Sequence, residues 1–166
     1  MVIDMLTIFM ELLGKYDVQI ATAVIGTAGF CLLYNIKKDK LIFGCIGGLI
    51  SIVVYCICTE LGFPVLIQNM IPAIAATLYA ELIARVVKAP STVFLIPSVI
   101  PLTPGGSLYY TMSAIVDGDV KEAEYMGQNT LMIALGIAVG IVLVSVVFYK
   151  LTHRNMQLKV SFTKGD

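Results

Sequence analysis

Long apolar runs separated by short polar stretches make up most of this sequence. A run of about twenty apolar residues matches the hydrocarbon thickness of a bilayer, since an α-helix rises about 1.5 Å per residue. The pattern therefore predicts an all-α membrane protein, one transmembrane domain over 1–166 with about five transmembrane helices. The predicted spans are 18–36, 41–58, 63–84, 91–112 and 130–149, and a polar tail, 150–166, follows the last of them.

The residues before the first span follow a different pattern. Asp4, Thr7 and Glu11 are spaced i, i+3, i+7, so they would form one polar stripe on an otherwise apolar helix. At about 20 Å such a helix is short for a span, and we expect 1–14 to be an amphipathic helix at the interface or against a partner. The region lacks the features of a cleavable signal peptide, so the first span is expected to serve as an uncleaved anchor.

The fourth apolar segment, 91–112, is interrupted by helix-breaking residues. It contains Pro97, Pro101, Pro104, Gly105 and Gly106. Proline removes a helix hydrogen bond and glycine disfavours helix, so we predict that this span is broken. A break in hydrocarbon persists only inside a protein bundle or beside a water-filled cavity, where transporters use freed backbone groups to hold substrate. The alternative is a kinked packing helix without a transport role.

Polar side chains near the break are candidates for a substrate path. Thr103, Ser107 and Tyr109 supply hydroxyl groups, although Tyr109, with Tyr110, is equally consistent with an anchor at the membrane interface. In the third span, the amides of Gln68 and Asn69 either line the path or bond neighbouring helices.

Glu81 and Arg85 are an acid and a base near the end of the third span. Their i, i+4 spacing suits an ion pair near the interface, whereas an intramembrane carboxylate can also couple transport to protons. Both roles stay open at this stage.

Charges in the loops predict an orientation in the membrane. Basic residues follow the first, third and fifth spans, whereas the intervening loops are acidic or neutral. The positive-inside rule then places the N-terminus outside and the C-terminus in the cytoplasm of an inner (cell) membrane protein, provided that the broken segment crosses fully. The basic residues that follow these three spans are Lys37, Lys38, Lys40, Arg85, Lys88, Lys150, Arg154, Lys159 and Lys164.

Composition narrows the function classes. The chain is 58% hydrophobic and 13% charged, with no net charge, so nothing points to nucleic acid. The four cysteines lie in apolar runs, and we expect neither a metal nor a cofactor. The single histidine, His153, lies in the tail, so Ser98 and Ser107 have no base beside them and we expect no catalytic residue.

Two further patterns concern packing and turns. Glycines or small residues spaced four apart let helices approach closely, either within the chain or with a partner, which could include a second copy in a homo-oligomer. These pairs are Thr22 with Gly26, Gly44 with Gly48 and Gly136 with Gly140. Between the last two spans, Asp117-Gly118 is a turn signal, and Asp119 with Glu122 resembles a capping box that begins a helix.

The stretch from Ala80 to Met112 resembles the signature of the threonine/serine exporter family, in its short, all-membrane subunit type, similar to the C-terminal half of longer members. Its core reads I-P-S-V-I-P-L-T-P-G-G, with Thr103 where the family often has valine. The matching positions are Pro97, Pro101, Pro104, Gly105 and Gly106, and Glu81, Arg85 and Pro90 match flanking positions.

This resemblance implies an exporter of small amino acids such as threonine and serine, driven by the proton gradient. It also implies a larger membrane subunit as partner, because this chain lacks the larger part that longer members carry. Some split members are associated with dicarboxylate export, and an accessory scaffold without substrate contact is a further alternative.

Overall fold

The computed structural model describes residues 14–163, and these residues form helices joined by short connections. The elements are α1 (Asp17–Leu33), α2 (Lys38–Glu60), α3 (Val65–Val87), α4 (Thr92–Val99), a 3-10 turn (Ile100–Leu102), α5 (Gly105–Asp117) and α6 (Val120–Thr163). The predicted all-α class is confirmed, including the break in the fourth apolar segment. The predicted amphipathic helix, 1–14, lies outside the described residues except for its last position.

Three of the described helices are long and apolar enough to span a membrane: Asp39–Glu60, Val65–Val87 and Val120–Lys150. The segments Thr92–Leu102 and Gly105–Asp117 meet at 51° and count as a fourth span if they are taken together. With 17 residues, α1 is apolar but shorter than these spans. Helix α6 continues through Thr163, so the first part of the predicted polar tail is helical.

Small residues set the contact between α1 and α2. A Cβ atom added to Gly44 would lie 2.7 Å from the Cys31 sulfur, and one on Gly48 would overlap Thr27. The two helices are therefore antiparallel, and the Gly44/Gly48 pair packs within the chain, which is one of the two alternatives that its spacing left open. The Thr22/Gly26 pair does not, because a Cβ atom on Gly26 would meet nothing within 4 Å in the described structure.

Glycines also bring α6 against the backbone of α3. A Cβ atom on Gly136 would lie 2.5 Å from the Leu66 carbonyl oxygen, and one on Gly140 would lie 2.7 Å from the Met70 carbonyl oxygen. The residue numbers of the contacting positions increase together in the two helices, from Leu66 to Met70 in α3 and from Gly136 to Gly140 in α6. Helices α3 and α6 therefore run parallel and begin at the same end of the bundle. We call this the Glu60 end, and the opposite end, where α3 stops, the Lys88 end.

A small aromatic core closes the Lys88 end. Ala80, Ala84 and Phe94 are buried there, and the Phe43 ring meets Phe94 edge-on at a centroid distance of 6.4 Å. Because two of these residues are alanines, α4 can approach α3 closely. This packing positions α4 and the break that follows it.

Two side-chain hydrogen bonds join α2 to α3. The Tyr79 hydroxyl donates to the Phe43 carbonyl oxygen at 2.9 Å, and the Gln68 amide donates to the Thr59 hydroxyl. They lie towards opposite ends of the antiparallel pair, so both halves of the α2–α3 contact are tied by polar groups.

We expect Tyr79→Phe to lower the free energy of unfolding by about 1 kcal/mol, because the hydrogen bond to Phe43 is lost with little change in shape. The measurement is thermal unfolding of the detergent-solubilised chain. Tyr110→Phe is the control, since the Tyr110 side chain is exposed. Equal melting temperatures for the two variants would contradict a stabilising hydrogen bond between Tyr79 and Phe43.

The turn before α6 follows the local sequence signals. Gly118 adopts a left-handed conformation with φ 75°, which glycine tolerates without strain. The Asp119 carboxylate then accepts a hydrogen bond from the Glu122 backbone N–H at 3.0 Å, as a helix cap does. Both the predicted turn and the predicted cap are confirmed.

Candidate functional site

The break between α4 and α5 covers fewer residues than the prolines and glycines suggest. Pro101 lies in the 3-10 turn, Thr103 is extended at φ −63° and ψ 129°, and Pro104 precedes α5 as its cap residue. Thr103 N–H donates to the Ile100 carbonyl at 3.0 Å, which keeps the turn tight. The non-helical backbone is thus confined to the residues around Thr103 and Pro104.

Pro97 lies inside α4 rather than in the break. It is fully buried, and a Cβ atom on Gly44 would lie 3.7 Å from it, so the proline ring fills space that a glycine of α2 leaves open. A proline within a helix removes one backbone hydrogen bond, and close packing against α2 offsets this loss.

Gly105 and Gly106 form the first turn of α5 instead of extending the break. The first N–H groups of a helix have no partner within it, and the preceding proline supplies a fixed φ, so glycine is tolerated at this start. A Cβ atom at either position would meet nothing within 4 Å. Both glycines are exposed, and no packing contact in the described structure requires them.

A cleft of about 250 Å³ lies beside the break, and we call it the break cleft. Helix α1 provides one wall, and Ile52 of α2 with the 3-10 turn provides the other. The lining residues are Gln19, Thr22, Ala23, Gly26, Ile52, Ile100 and Pro101. Of the predicted path residues, Pro101 is the one that this cleft contains.

A second cleft of about 190 Å³ opens between the end of α1 and the start of α4, and we call it the Tyr34 cleft. It is lined by Tyr34, Ile36, Thr92, Val93, Ile96 and Pro97. Both clefts therefore lie where α1 meets the broken segment, the Tyr34 cleft at α4 towards the Lys88 end and the break cleft at the 3-10 turn towards the Glu60 end. Each is lined by one proline of the broken segment.

The other predicted path residues on the broken segment surround the start of α5. Thr103 and Tyr109 are exposed, Ser107 is half-buried, and the Ser107 carbonyl accepts a hydrogen bond from Thr111 at 2.7 Å. The Tyr109 and Tyr110 rings meet edge-on at 5.5 Å. Ser107, Tyr109 and Tyr110 lie on α5, whereas Thr103 precedes it. Helix α5 packs on α6, since a Cβ atom on Gly127 would be 3.6 Å from Thr111.

Gln68 and Asn69 are directed away from the two clefts. Gln68 bonds to Thr59 of α2, whereas the buried Asn69 amide donates to the Val65 carbonyl of its own helix at 2.8 Å. The Asn69 Cβ atom lies 3.3 Å from a Cβ position on Gly136, so Asn69 faces α6.

Arg85 contacts α6 as well. Its guanidinium carbon lies 4.9 Å from the centroid of the Phe148 ring, a distance that allows a cation–π interaction. Glu81, one turn earlier on α3, is half-buried.

A polar contact ties α1 to α2 at the Glu60 end. The Glu60 carboxylate accepts hydrogen bonds from the Lys15 ammonium at 2.6 Å and from the Tyr16 hydroxyl at 2.7 Å. Bonding to a carboxylate stabilises the protonated phenol, which raises the pKa of Tyr16. The contact lies one turn before Gln19, so it fixes the start of the α1 wall of the break cleft.

Sequence reasoning missed Gln19 and Thr22. Both are polar residues in a short apolar helix, and Thr22 was noted only for its spacing from Gly26. Two polar residues in an apolar helix can indicate a binding site, and this signal is present in the sequence. That they lie beside Pro101 depends on how α1 packs and could not be predicted.

These features define a class: a helical membrane protein whose broken span borders clefts, as in transporters. Among the side chains that the structure describes, which end at residue 150, no group of three or more could hold a metal ion. The chain belongs to the threonine/serine exporter family, because the family model described as "Threonine/Serine exporter, ThrE" matches residues 19–147. The matched region contains all the lining residues of both clefts. No curated protein and no solved structure matches the chain.

Proposed function

We propose that this chain is a subunit of an inner-membrane exporter of small amino acids, threonine and serine. The observation that carries the proposal is the pair of clefts along the boundary between α1 and the broken segment, each lined by a proline of that segment. Family membership supplies the transport class. The substrate path would run along this boundary, with the start of α5 contributing backbone N–H groups that suit a carboxylate.

A full crossing of the broken segment is consistent with the parallel α3 and α6. Because these helices begin at the same end, the chain between them must return from the Lys88 end to the Glu60 end. The two halves of the segment, bent by 51°, would make this crossing. We propose that Thr103, Pro104, Gly105, Gly106, Ser107 and Tyr109 lie beside the path, whereas Gln68 and Asn69 support the helices around it.

The distribution of charge favours a cytoplasmic Lys88 end. Lys37, Lys40 and Lys88 lie there, whereas Glu60 and the acidic turn before α6 lie at the other end. The positive-inside rule then places the start of α1 outside and the end of α6 in the cytoplasm.

Proton coupling and a larger membrane partner complete the proposal. Glu81 is the carboxylate within α3 and lies one turn before Arg85. It is our candidate for the group that couples export to protons. The exposed apolar residues of the outer helices would contact lipid or the partner.

The test is efflux of labelled threonine, and separately of labelled succinate, from loaded cells. The cells would produce this chain, a candidate larger subunit, or both. We expect threonine export only when both are present. Export from this chain alone would refute the need for a partner, and succinate export without threonine export would favour the dicarboxylate alternative. Export of neither would favour the accessory scaffold.

A further inference from the structure

The break cleft has an uncharged lining with two polar side chains. Gln19 and Thr22 are polar, and the other lining residues, Ala23, Gly26, Ile52, Ile100 and Pro101, offer apolar carbon. The charged residues nearest in sequence, Lys15 and Asp17, are not in the lining. A ligand group in this cleft therefore meets hydrogen-bonding groups without a compensating charge.

The Thr22 hydroxyl is available to such a ligand mainly as a hydrogen-bond acceptor. Its proton is directed to its own helix, since Oγ1 lies 2.8 Å from the Val18 carbonyl oxygen and 3.1 Å from that of Gln19. A hydroxyl has one donor and two acceptor lone pairs, so lone-pair capacity is left for a donor from outside. Thr22 is exposed in the described structure, which leaves this oxygen accessible from the cleft.

The charged ends of an amino acid do not suit this lining. Taking an ammonium or carboxylate group out of water is costly without a counter-charge, whereas a neutral hydroxyl needs only one or two hydrogen bonds. The cleft volume of about 250 Å³ lies just below the range typical of small-molecule pockets, about 300–1,000 Å³. A short side chain with one hydroxyl group fits both the chemistry and the size.

We propose that the break cleft holds the hydroxyl-bearing side chain of the exported amino acid, with Thr22 accepting a hydrogen bond from the substrate hydroxyl. Thr22 is then a specificity-determining residue that favours threonine and serine over the same amino acids without the hydroxyl. Gln19, one turn earlier on α1, supplies an amide to the same group. This inference rests on the proposed export of small amino acids.

The test compares threonine with 2-aminobutyrate, which lacks only the hydroxyl. The cells produce whichever combination exports threonine, either this chain alone or this chain with the larger subunit. They are loaded with labelled threonine and labelled 2-aminobutyrate, and the ratio of the threonine efflux rate to the 2-aminobutyrate efflux rate is measured. Thr22→Val should lower this ratio roughly three- to tenfold, the range that one uncharged hydrogen bond supports. The fall should come mainly from slower threonine export.

Three variants make the result specific. Thr22→Ser keeps the hydroxyl acceptor and should keep the wild-type ratio of efflux rates. Thr22→Ala removes the hydroxyl as Thr22→Val does and should lower the ratio in the same way. It serves as the second test if the Thr22→Val protein accumulates poorly. Thr130→Val is the matched control, because Thr130 bonds to the Met126 carbonyl at 2.8 Å in the same way but lies on α6, outside the cleft.

Two outcomes would overturn the inference while leaving the proposed function intact. One is an unchanged ratio in Thr22→Val and Thr22→Ala, and the other is an equal loss of export for both compounds. If the wild-type arrangement exports neither threonine nor serine, the proposed function itself fails, and the role of Thr22 fails with it.

Discussion

Replacing Gly136 and Gly140 together with alanine is expected to destabilise the folded chain. A Cβ atom at these positions would lie 2.5 Å from the Leu66 carbonyl oxygen and 2.7 Å from the Met70 carbonyl oxygen. Both obstacles are backbone atoms of α3, which cannot turn aside as a flexible side chain can. Overpacking costs about 1–3 kcal/mol per site, and for a chain of this size each kcal/mol lowers Tm by roughly 2–4 °C.

The measurement is Tm in detergent, read from the loss of the monodisperse species. Gly29→Ala is the matched control, because a Cβ atom there would meet nothing within 4 Å. Alanine favours helix over glycine by roughly 0.5–1 kcal/mol, so the control should be neutral or slightly stabilising. A double variant as stable as Gly29→Ala would mean that α6 does not pack on α3 through these glycines.

Replacing Gly105 and Gly106 with leucine is expected to abolish export while leaving the protein in the membrane. Both positions are open, so the leucine side chains should clash with nothing described. Leucine also favours helix over glycine, so α5 should not be weakened. The loss is expected because two bulky apolar groups would cover the first-turn N–H groups and obstruct the path beside the break.

Export is measured as threonine efflux, normalised to the amount of assembled protein. Gly29→Leu provides the control, since it adds the same side chain at another open position on α1. Undiminished efflux from the Gly105/Gly106 variant would refute the role of this turn in transport. Reduced assembly with unchanged efflux per assembled complex would instead support the scaffold alternative.

Local chemistry made the break and the turns predictable. A proline has no backbone N–H to donate in any position, so the prolines around residue 101 predict an interrupted helix. Gly118 and Asp119 predict a turn followed by a helix cap. The limits of the break were less predictable. Pro97 fits within α4 because Gly44 leaves room for it, and Gly105 starts α5 because first-turn N–H groups need no helical partner.

The composition of the clefts was not predictable from local pattern. Gln19 and Thr22 meet Pro101 only because α1 packs against α2 through Cys31 and Thr27. Likewise, the side of α3 that faces α6 is fixed by glycines far along the chain, and this contact places Asn69 away from the clefts. Such long-range contacts are properties of the packed bundle, which periodicity along one helix does not encode.

The buried hydroxyl and amide groups of this bundle are satisfied within their own helices. Thr27, Ser51, Thr77 and Ser98 each donate to a carbonyl three or four residues earlier, as Asn69 does. These residues are the buried polar ones among the described side chains. A helix that slides or rotates against its neighbour would carry these bonds along unbroken. Resistance to such movement would therefore come from steric fit, from the Glu60 contact and from the two side-chain hydrogen bonds that join α2 to α3.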